Sequence, residues 1–262
     1  MTRPILTLTT DFGTVDHYAG TMKGVILRIC PEAQIVDITH DIEPFAIAEG
    51  AYTIAQAWRY FPEGTVHVVV IDPGVGTARR PILVEAGGHY FLGPDNGVLS
   101  MVYLHEPARV RLIATEDYFL HPVSQTFHGR DIFAPVAAHL ASGVAPEKIG
   151  GYIEDPTRPA FAKPHRDRGG AWIGQIIKAD RFGNLITNFH IGEFANLADG
   201  PFTLTLGSRR ITALARNYQA CVPGQLFLIV GSSGYYEISL RQGNAAQYAQ
   251  CQPGAAIELL VP

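Results

Sequence analysis

The sequence predicts two domains: an α/β N-terminal domain with a mainly parallel sheet, and a small all-β C-terminal barrel or sandwich. Three features carry this prediction. Strand and helix patterns alternate as β-α-β-α-β over residues 5–71, the signature of a parallel sheet with right-handed crossovers. The pattern breaks between Asp155 and Gly170, where Pro156, Pro159 and Pro164 punctuate a polar stretch that ends in Gly169-Gly170. Beyond that break, short strands are separated by glycine-rich turns and no long helical pattern intervenes. Residues 1–160 are therefore expected to form the α/β domain, 161–170 a linker, and 171–262 the barrel-like domain.

The first strand is Ile5–Thr9, which ends in the turn Thr10-Asp11-Phe12-Gly13. Gly20–Cys30 has helical spacing, with Met22, Val25, Ile26 and Ile29 on one face, and stops at Pro31. Gln34–Ile38 is a second strand. Ala46–Tyr60 is a second helix whose face is Ile47, Ala51, Ile54, Ala55 and Trp58. Thr65–Ile71 is rich in β-branched residues and apolar throughout, as expected of a strand buried on both faces. It stops at Asp72-Pro73-Gly74, because proline cannot donate to a ladder.

Pro81–Ala86 and His89–Leu92 read as a hairpin across Gly87-Gly88. The dense turn Gly93–Gly97 then leads into a short helix, Val98–Tyr103. Ala108–Ala114 is a further strand, and Ile132–Ser142 an alanine-rich helix. In the second domain the strands are Ala171–Lys178, Leu185–Asn188, Phe202–Leu206, Leu226–Val230, Tyr235–Ser239 and Ile257–Val261.

Composition narrows the function classes. Hydrophobic residues are 47% and charged residues 17% of the 262, a balance that suits a compact chain with a sizeable core. A net charge of −4 offers no electrostatic reason to expect nucleic acid or an anionic membrane as partner. Cys30, Cys221 and Cys251 are odd in number and widely spaced, which fits a reducing compartment better than a disulfide scaffold. The start, Met1-Thr2-Arg3-Pro4, shows no leader pattern, and no apolar run approaches the length of a membrane span. A soluble, cytoplasmic protein is expected.

Several motifs carry chemistry. No Gly-x4-Gly-Lys-Ser/Thr phosphate loop is present, and Asp11-Phe12-Gly13 lacks every motif that accompanies this tripeptide in kinases. Asp11, Asp16, His17, Asp37, His40, Asp41 and His128 are of metal-ligating types, but no tight ligand spacing unites them; turn and cap roles account for Asp11 and Asp16. Asp72 sits at the carboxyl end of the buried strand, the rim where open α/β sheets bind ligands. It reads either as a turn cap or, with Arg79 and His128, as a carboxylate, a fixed cation and an imidazole able to orient and deprotonate a water. Asp180 and Phe182-Gly183-Asn184-Leu185 read either as a turn or as a group that stacks on and hydrogen-bonds a purine or an amino acid. Ser232-Ser233-Gly234-Tyr235 is a hairpin turn or a small anion nest.

Taken in order, five stretches are specific together: Thr10–Gly13, Asp72-Pro73-Gly74-Val75-Gly76-Thr77-Ala78-Arg79-Arg80, Phe127-His128-Gly129-Arg130-Asp131, Asp180-Arg181-Phe182-Gly183-Asn184 and Gly243-Asn244-Ala245-Ala246. On these motifs, which span nearly the whole chain, it resembles the S-adenosylmethionine hydroxide adenosyltransferase (S-adenosylmethionine hydrolase) family, related to the fluorinase and chlorinase. The resemblance implies hydrolysis of S-adenosylmethionine to adenosine and methionine, with no metal and no cofactor beyond the substrate. It also implies a homotrimer whose active sites lie between the N-terminal domain of one subunit and the C-terminal domain of the next.

By the same resemblance Asp72, Arg79 and His128 are the catalytic triad, Arg79 fitting the family spacing better than Arg80. Asp11 would hold the ribose diol and Phe45 would line the ribose. Phe182, Asn184 and the backbone near Ala245 would hold adenine, with Tyr218 as a further stacking residue. Asp180 would bind the methionine ammonium, and Ser232 and Ser233 its carboxylate. The halogenases carry a tyrosine where this chain has Asp72, and the fluorinase a serine where it has Gly129. A carboxylate there repels a halide in a partly desolvated pocket, which points to the water-using branch. The alternatives are a halogenase using the same substrate, a metal-dependent nucleoside hydrolase, and a non-catalytic adenosine-binding protein.

Overall fold

The structure, a computed structural model, describes residues 3–104 and 106–261. Met1 and Thr2, part of the stretch read as lacking a leader, lie outside the described residues. The chain divides into two compact units, Met1–Pro159 and Ala160–Pro262.

The first unit is built on a six-stranded sheet. Its strands are β1 (Ile5–Thr10), β2 (Gln34–Thr39), β3 (Val66–Val70), β4 (Pro81–Ala86), β5 (His89–Pro94) and β6 (Ala108–Leu112), in the order β2-β1-β3-β5-β4-β6. β1 runs parallel to β2 and β3, and β3 parallel to β5; β4 is antiparallel to β5 and β6. The expected α/β domain with a mainly parallel sheet is thus present.

Every residue of β3 is buried, and its alternation feeds two cores. Val66, Val68 and Val70 pack with Leu6 and Leu8 on Met22 and Ile26 of α1 (Tyr18–Ile29) and on Val136 and Ala137 of α4 (Ala134–Ala141). Val69 and Ile71 face the other way, onto Ile54 of α2 (Ile47–Ala57), Trp58 and Val98. A fourth short helix, α3 (Ser100–Tyr103), follows the turn after β5. A strand covered on both sides needs no polar face, which is why its sequence is almost continuously apolar.

Helix ends shift by one or two residues in α1 (expected over 20–30) and α3 (expected over 98–103), and two other helices differ in kind. The helix expected over 46–60 ends at Ala57 and tightens into a 3₁₀ turn, Trp58–Tyr60. The helix expected over 132–142 runs only Ala134–Ala141, its first two expected residues belonging to a wide π turn, Gly129–Phe133. Pro135 explains the second: it has no N–H for the Asp131 carbonyl, which instead accepts the Leu120 N–H at 2.8 Å.

The second unit is mainly β, a nine-stranded sheet in the order β11-β10-β15-β8-β9-β14-β13-β12 with β7 paired to β8. The strands are β7 (His165–Arg166), β8 (Trp172–Ala179), β9 (Leu185–His190), β10 (Thr203–Leu206), β11 (Arg209–Ile211), β12 (Leu214–Ala215), β13 (Leu226–Val230), β14 (Tyr235–Leu240) and β15 (Ala256–Leu260). β8 turns the corner: Trp172–Gln175 pair with β15, and Ile176–Ala179 pair with β9 across a register shift. Such a bulge bends a strand and raises its twist, and the sheet curls into a half-barrel around Phe189, Leu204, Leu228, Tyr236 and Leu259. One short helix, α5 (Ala245–Ala249), follows β14. Among the described residues no helix is long and apolar enough to cross a membrane.

His67 is the polar exception in β3. It is fully buried, with Nδ1 2.7 Å from Thr7 Oγ1 and Nε2 3.2 Å from His89 Nδ1. Burial, helped by the His89 ring, pushes its pKa down to about 3. The unfolded chain, with an ordinary imidazole, then binds more protons than the folded one between about pH 6.5 and 3, so stability is lost as pH falls through that window. Taking pH 7 to pH 5 should cost about 2 kcal/mol through this ring alone. Urea unfolding at the two pH values checks this: His67→Asn should shrink the loss by about that amount.

Candidate active site

Asp11 and Asp72 reach the same rim because β1 and β3 are adjacent and parallel. Thr10 and Val70 are partners in register, and the two carboxylates follow one and two residues later. The crossover carrying α1 covers one face of the sheet and that carrying α2 the other, so this rim is the topological switch point where the sheet opens a crevice. A cleft of about 430 Å³ lies there, walled by Asp11, Phe45, Asp72, Phe127 and His128 among others.

Arg79 joins the cleft's two sides. Its Nε donates to both oxygens of Asp72 at 3.0 Å, and Nη2 makes a further, short contact to Asp72 Oδ2. The same Nη2 donates to His128 Nδ1 at 2.6 Å. The side chains of Arg79 and Asp72 are only 10% and 5% exposed, so this pair is screened little by solvent. The guanidinium also lies over the Phe133 ring, 5.5 Å from its centre. A guanidinium has no acceptor. His128 Nδ1 must therefore carry the lone pair, and the ring is neutral with its proton on Nε2. Consistently, burial and then the Arg79 charge lower the His128 pKa, with Asp72 opposing them.

Arg80 turns the other way. It binds Asp95 through Nε at 2.9 Å and Nη2 at 2.6 Å, and Asp155 through Nη1 at 2.8 Å. Asp95 also accepts the Thr157 N–H at 2.8 Å, so Arg80 ties two loops together.

The His128 loop is held from below by Asp131, which is fully buried. Its carboxylate accepts the Ser124 N–H at 2.8 Å and Arg130 Nε at 2.5 Å. Burial alone would raise its pKa; the bonds from Arg130 and Ser124 outweigh that and hold it below the usual carboxylate range. The Asp72 loop meets this loop at Gly76, whose φ is +77° and where a Cβ would fall 2.2 Å from the Gln125 carbonyl oxygen. Only glycine allows this approach.

Asp11 accepts the Phe45 N–H on Oδ2 at 2.9 Å and keeps Phe45 at φ +69°, a left-handed conformation that a bulky residue resists. Its own pKa is raised, chiefly by burial and in part by the nearby Asp72 charge. Phe45 is 70% exposed despite its size.

The remaining expected residues sit together on the second unit. Asp180 Oδ1 accepts the N–H groups of Phe182 and Asn184 at 2.9 and 2.8 Å, and Oδ2 accepts Asn184 Nδ2 at 2.8 Å. The Gly183 carbonyl accepts the Ala246 N–H at 3.0 Å, which brings the start of α5, and so Ala245, against this turn. Phe182 is 80% exposed while Asn184 is buried. Tyr218 is half-exposed, its hydroxyl 3.5 Å from Glu237 Oε2. Ser232 and Ser233 form the turn between β13 and β14, closed by the Gly234 N–H on the Gly231 carbonyl at 3.0 Å.

Of the residues weighed as metal ligands, Asp37 is paired to Lys23 at 2.5 Å and His40 Nδ1 is bonded to Thr10 Oγ1 at 2.8 Å. Among the described residues no group of three His, Cys, Asp or Glu is placed to hold an ion. Sequence reasoning missed Tyr18 and Phe127, whose rings meet edge to face at 5.1 Å on the cleft wall, and the buried carboxylate of Glu237. Phe127 directly precedes His128-Gly129 and was a visible signal; Glu237 was not, since a lone carboxylate in a strand reads as facing solvent.

An α/β unit with charged residues at its switch point, joined in one chain to a curled β unit, has the crevice in which open α/β sheets bind ligands. Comparison with known proteins is specific. The family model for the SAM hydroxide adenosyltransferase N-terminal domain matches residues 6–150, and that for the C-terminal domain residues 174–258. The chain belongs to the SAM hydroxide adenosyltransferase family. It is 34% identical over 255 residues to an (R)-S-adenosyl-L-methionine hydrolase of Salinispora tropica, covering 96% of this chain and 95% of that protein. A fluorinase from Actinoplanes sp. is 32% identical over 71% of this chain and 72% of its own. A crystal structure of an uncharacterized conserved protein from Thermotoga maritima superposes with a TM-score of 0.86 at 36% identity, covering 98% of this chain and all of that one.

Gly76→Ala should disrupt the loop contact through both the clash and the positive φ. A loss of about 2 kcal/mol or more is expected, read as a lower thermal midpoint, together with a fall in turnover that exceeds what unfolding accounts for.

Proposed function

We propose that the protein hydrolyses (R)-S-adenosyl-L-methionine to adenosine and L-methionine, with Asp72, Arg79 and His128 presenting a water in line behind the ribose 5′ carbon. The observation that carries this reading is the single guanidinium that grips Asp72 and His128 together at the mouth of a cleft also lined by Asp11. The names above, of a hydrolase relative and of two family models, one for each unit, supply the substrate.

The sulfonium leaves readily as neutral methionine, so the difficulty lies in placing a poor nucleophile and excluding other waters. Such placement contributes several kcal/mol in comparable reactions. An unperturbed aspartate, at about 3.9, is too weak a base to ionise free water beforehand. As the water oxygen bonds to carbon, however, its protons become strongly acidic, and Asp72 accepts one late in the step. Arg79 keeps Asp72 aimed. His128 already spends its one acceptor nitrogen on Arg79, so it serves to hold the guanidinium rather than to take the proton. Asp11 and Phe45 take the ribose; Phe182, Asn184, Tyr218 and the backbone near Ala245 take adenine. Asp180 takes the ammonium, and Ser232 and Ser233 the carboxylate. A homotrimer with shared sites, as in the resemblance, belongs to the same proposal, and sedimentation velocity tests it: a monomeric active enzyme would remove that part.

Incubation in ¹⁸O-labelled water should place the label on the adenosine 5′ oxygen, and chloride or fluoride should yield no halogenated nucleoside. Asp72→Asn should lower kcat by about 10³. His128→Asn, which can keep an acceptor for Arg79, should retain far more activity than His128→Ala. Equal loss in the two variants would make His128 the base instead.

A further inference from the structure

Glu237 is a buried carboxylate that the roles given so far leave unused. It lies mid-strand in β14, in register with Ile186 of β9 on one side and Ile229 of β13 on the other, and is only 8% exposed. The backbone makes room for it: a Cβ on Gly231 would sit 1.8 Å from Glu237 Oε1 and 2.5 Å from Cδ. The carboxylate therefore packs directly beneath the turn that carries Ser232 and Ser233. Its recorded hydrogen bond is the long one from Tyr218 at 3.5 Å.

Asp180 is its electrostatic neighbour, and the two are employed very differently. Three N–H donors of the Phe182–Asn184 turn already occupy the Asp180 oxygens, whereas Glu237 has most of its acceptor capacity in hand. Burial, then the Asp180 charge, raises the Glu237 pKa, as for a carboxylate awaiting a cation. Tyr218 feels both charges. A buried carboxylate packed against the glycine that opens a serine turn, and within reach of the Asp180 charge, is matched by a ligand end that carries a cation next to an anion.

We infer that Glu237 is a further substrate-binding residue: with Asp180 it receives the α-ammonium of the amino-acid end, while Asp180 chiefly shapes the turn that holds adenine. This rests on the hydrolase reading above and deepens it. In this role Glu237 acts on recognition of the amino-acid end, so its removal should weaken binding and leave the chemical step alone.

The test compares S-adenosylmethionine with the analogue in which hydrogen replaces the α-ammonium, using the full-length wild type and Glu237→Gln. For S-adenosylmethionine the variant should raise KM about tenfold, the effect of losing one charge-assisted hydrogen bond, with kcat changed less than about threefold. For the analogue, KM should be the same in both proteins. Gly231→Ala, which displaces the carboxylate without removing it, should copy the selective rise. A rise in KM for both substrates alike, or for neither, overturns the inference while wild-type turnover leaves the hydrolase reading standing. A wild type that neither binds nor turns over S-adenosylmethionine overturns both.

Discussion

One guanidinium sets the geometry of the cleft at the sheet's switch point. Arg79 is a rigid planar fork whose donors reach two separate loops, one leaving β3 and one entering the π turn before α4. Either loop alone would place its side chain loosely, since loop backbone is held by few ladder bonds. Tied through nearly buried Arg79 to a carboxylate and an imidazole, they become one object. The fork also fixes the tautomer of its imidazole partner: it binds both oxygens of Asp72 and takes the lone pair of His128 Nδ1. A lysine there could supply the charge but not the two-way planar grip.

That grip is useful only because each loop is anchored in a well-packed layer. Asp72 leaves a strand with apolar cores on both faces, and His128 sits above Phe133 and Ala134, part of the core shared with α1. In the second unit the same logic runs through hydrogen bonds: Asp180 closes a turn, the turn binds the start of α5, and Phe182 is left exposed at its tip. Two supports of different kind thus hold the two sets of residues, and the large side chains of Phe45 and Phe182 stand in solvent on them.

Much of this was legible in the sequence, for identifiable reasons. The buried β3 strand and the α1 and α2 helices announced themselves because their periodicities are set by the layers they pack on. Strands β7, β11 and β12 did not, since two or three residues carry no period. The π turn was hidden as well: it depends on the Leu120 amide finding the Asp131 carbonyl, a contact between distant loops. At the site, residue types and spacing proposed Asp72, Arg79 and His128 as a set, but which of two consecutive arginines faces the cleft follows from Asp95 and Asp155 claiming Arg80. Glu237 escaped because a carboxylate in a strand reads as solvent-facing until the glycine that accommodates it is seen in space.

A strand of nearly uniform valines has a weakness: its neighbours would accept it almost as well if it slid along them. The thread Thr7–His67–His89 removes that freedom, because any displaced pairing strips a buried imidazole of the hydroxyl and the second ring that satisfy it. The polar thread in the middle of the sheet therefore works as a ruler. It determines how far the chain has travelled when it emerges at the rim, and so which residue arrives there.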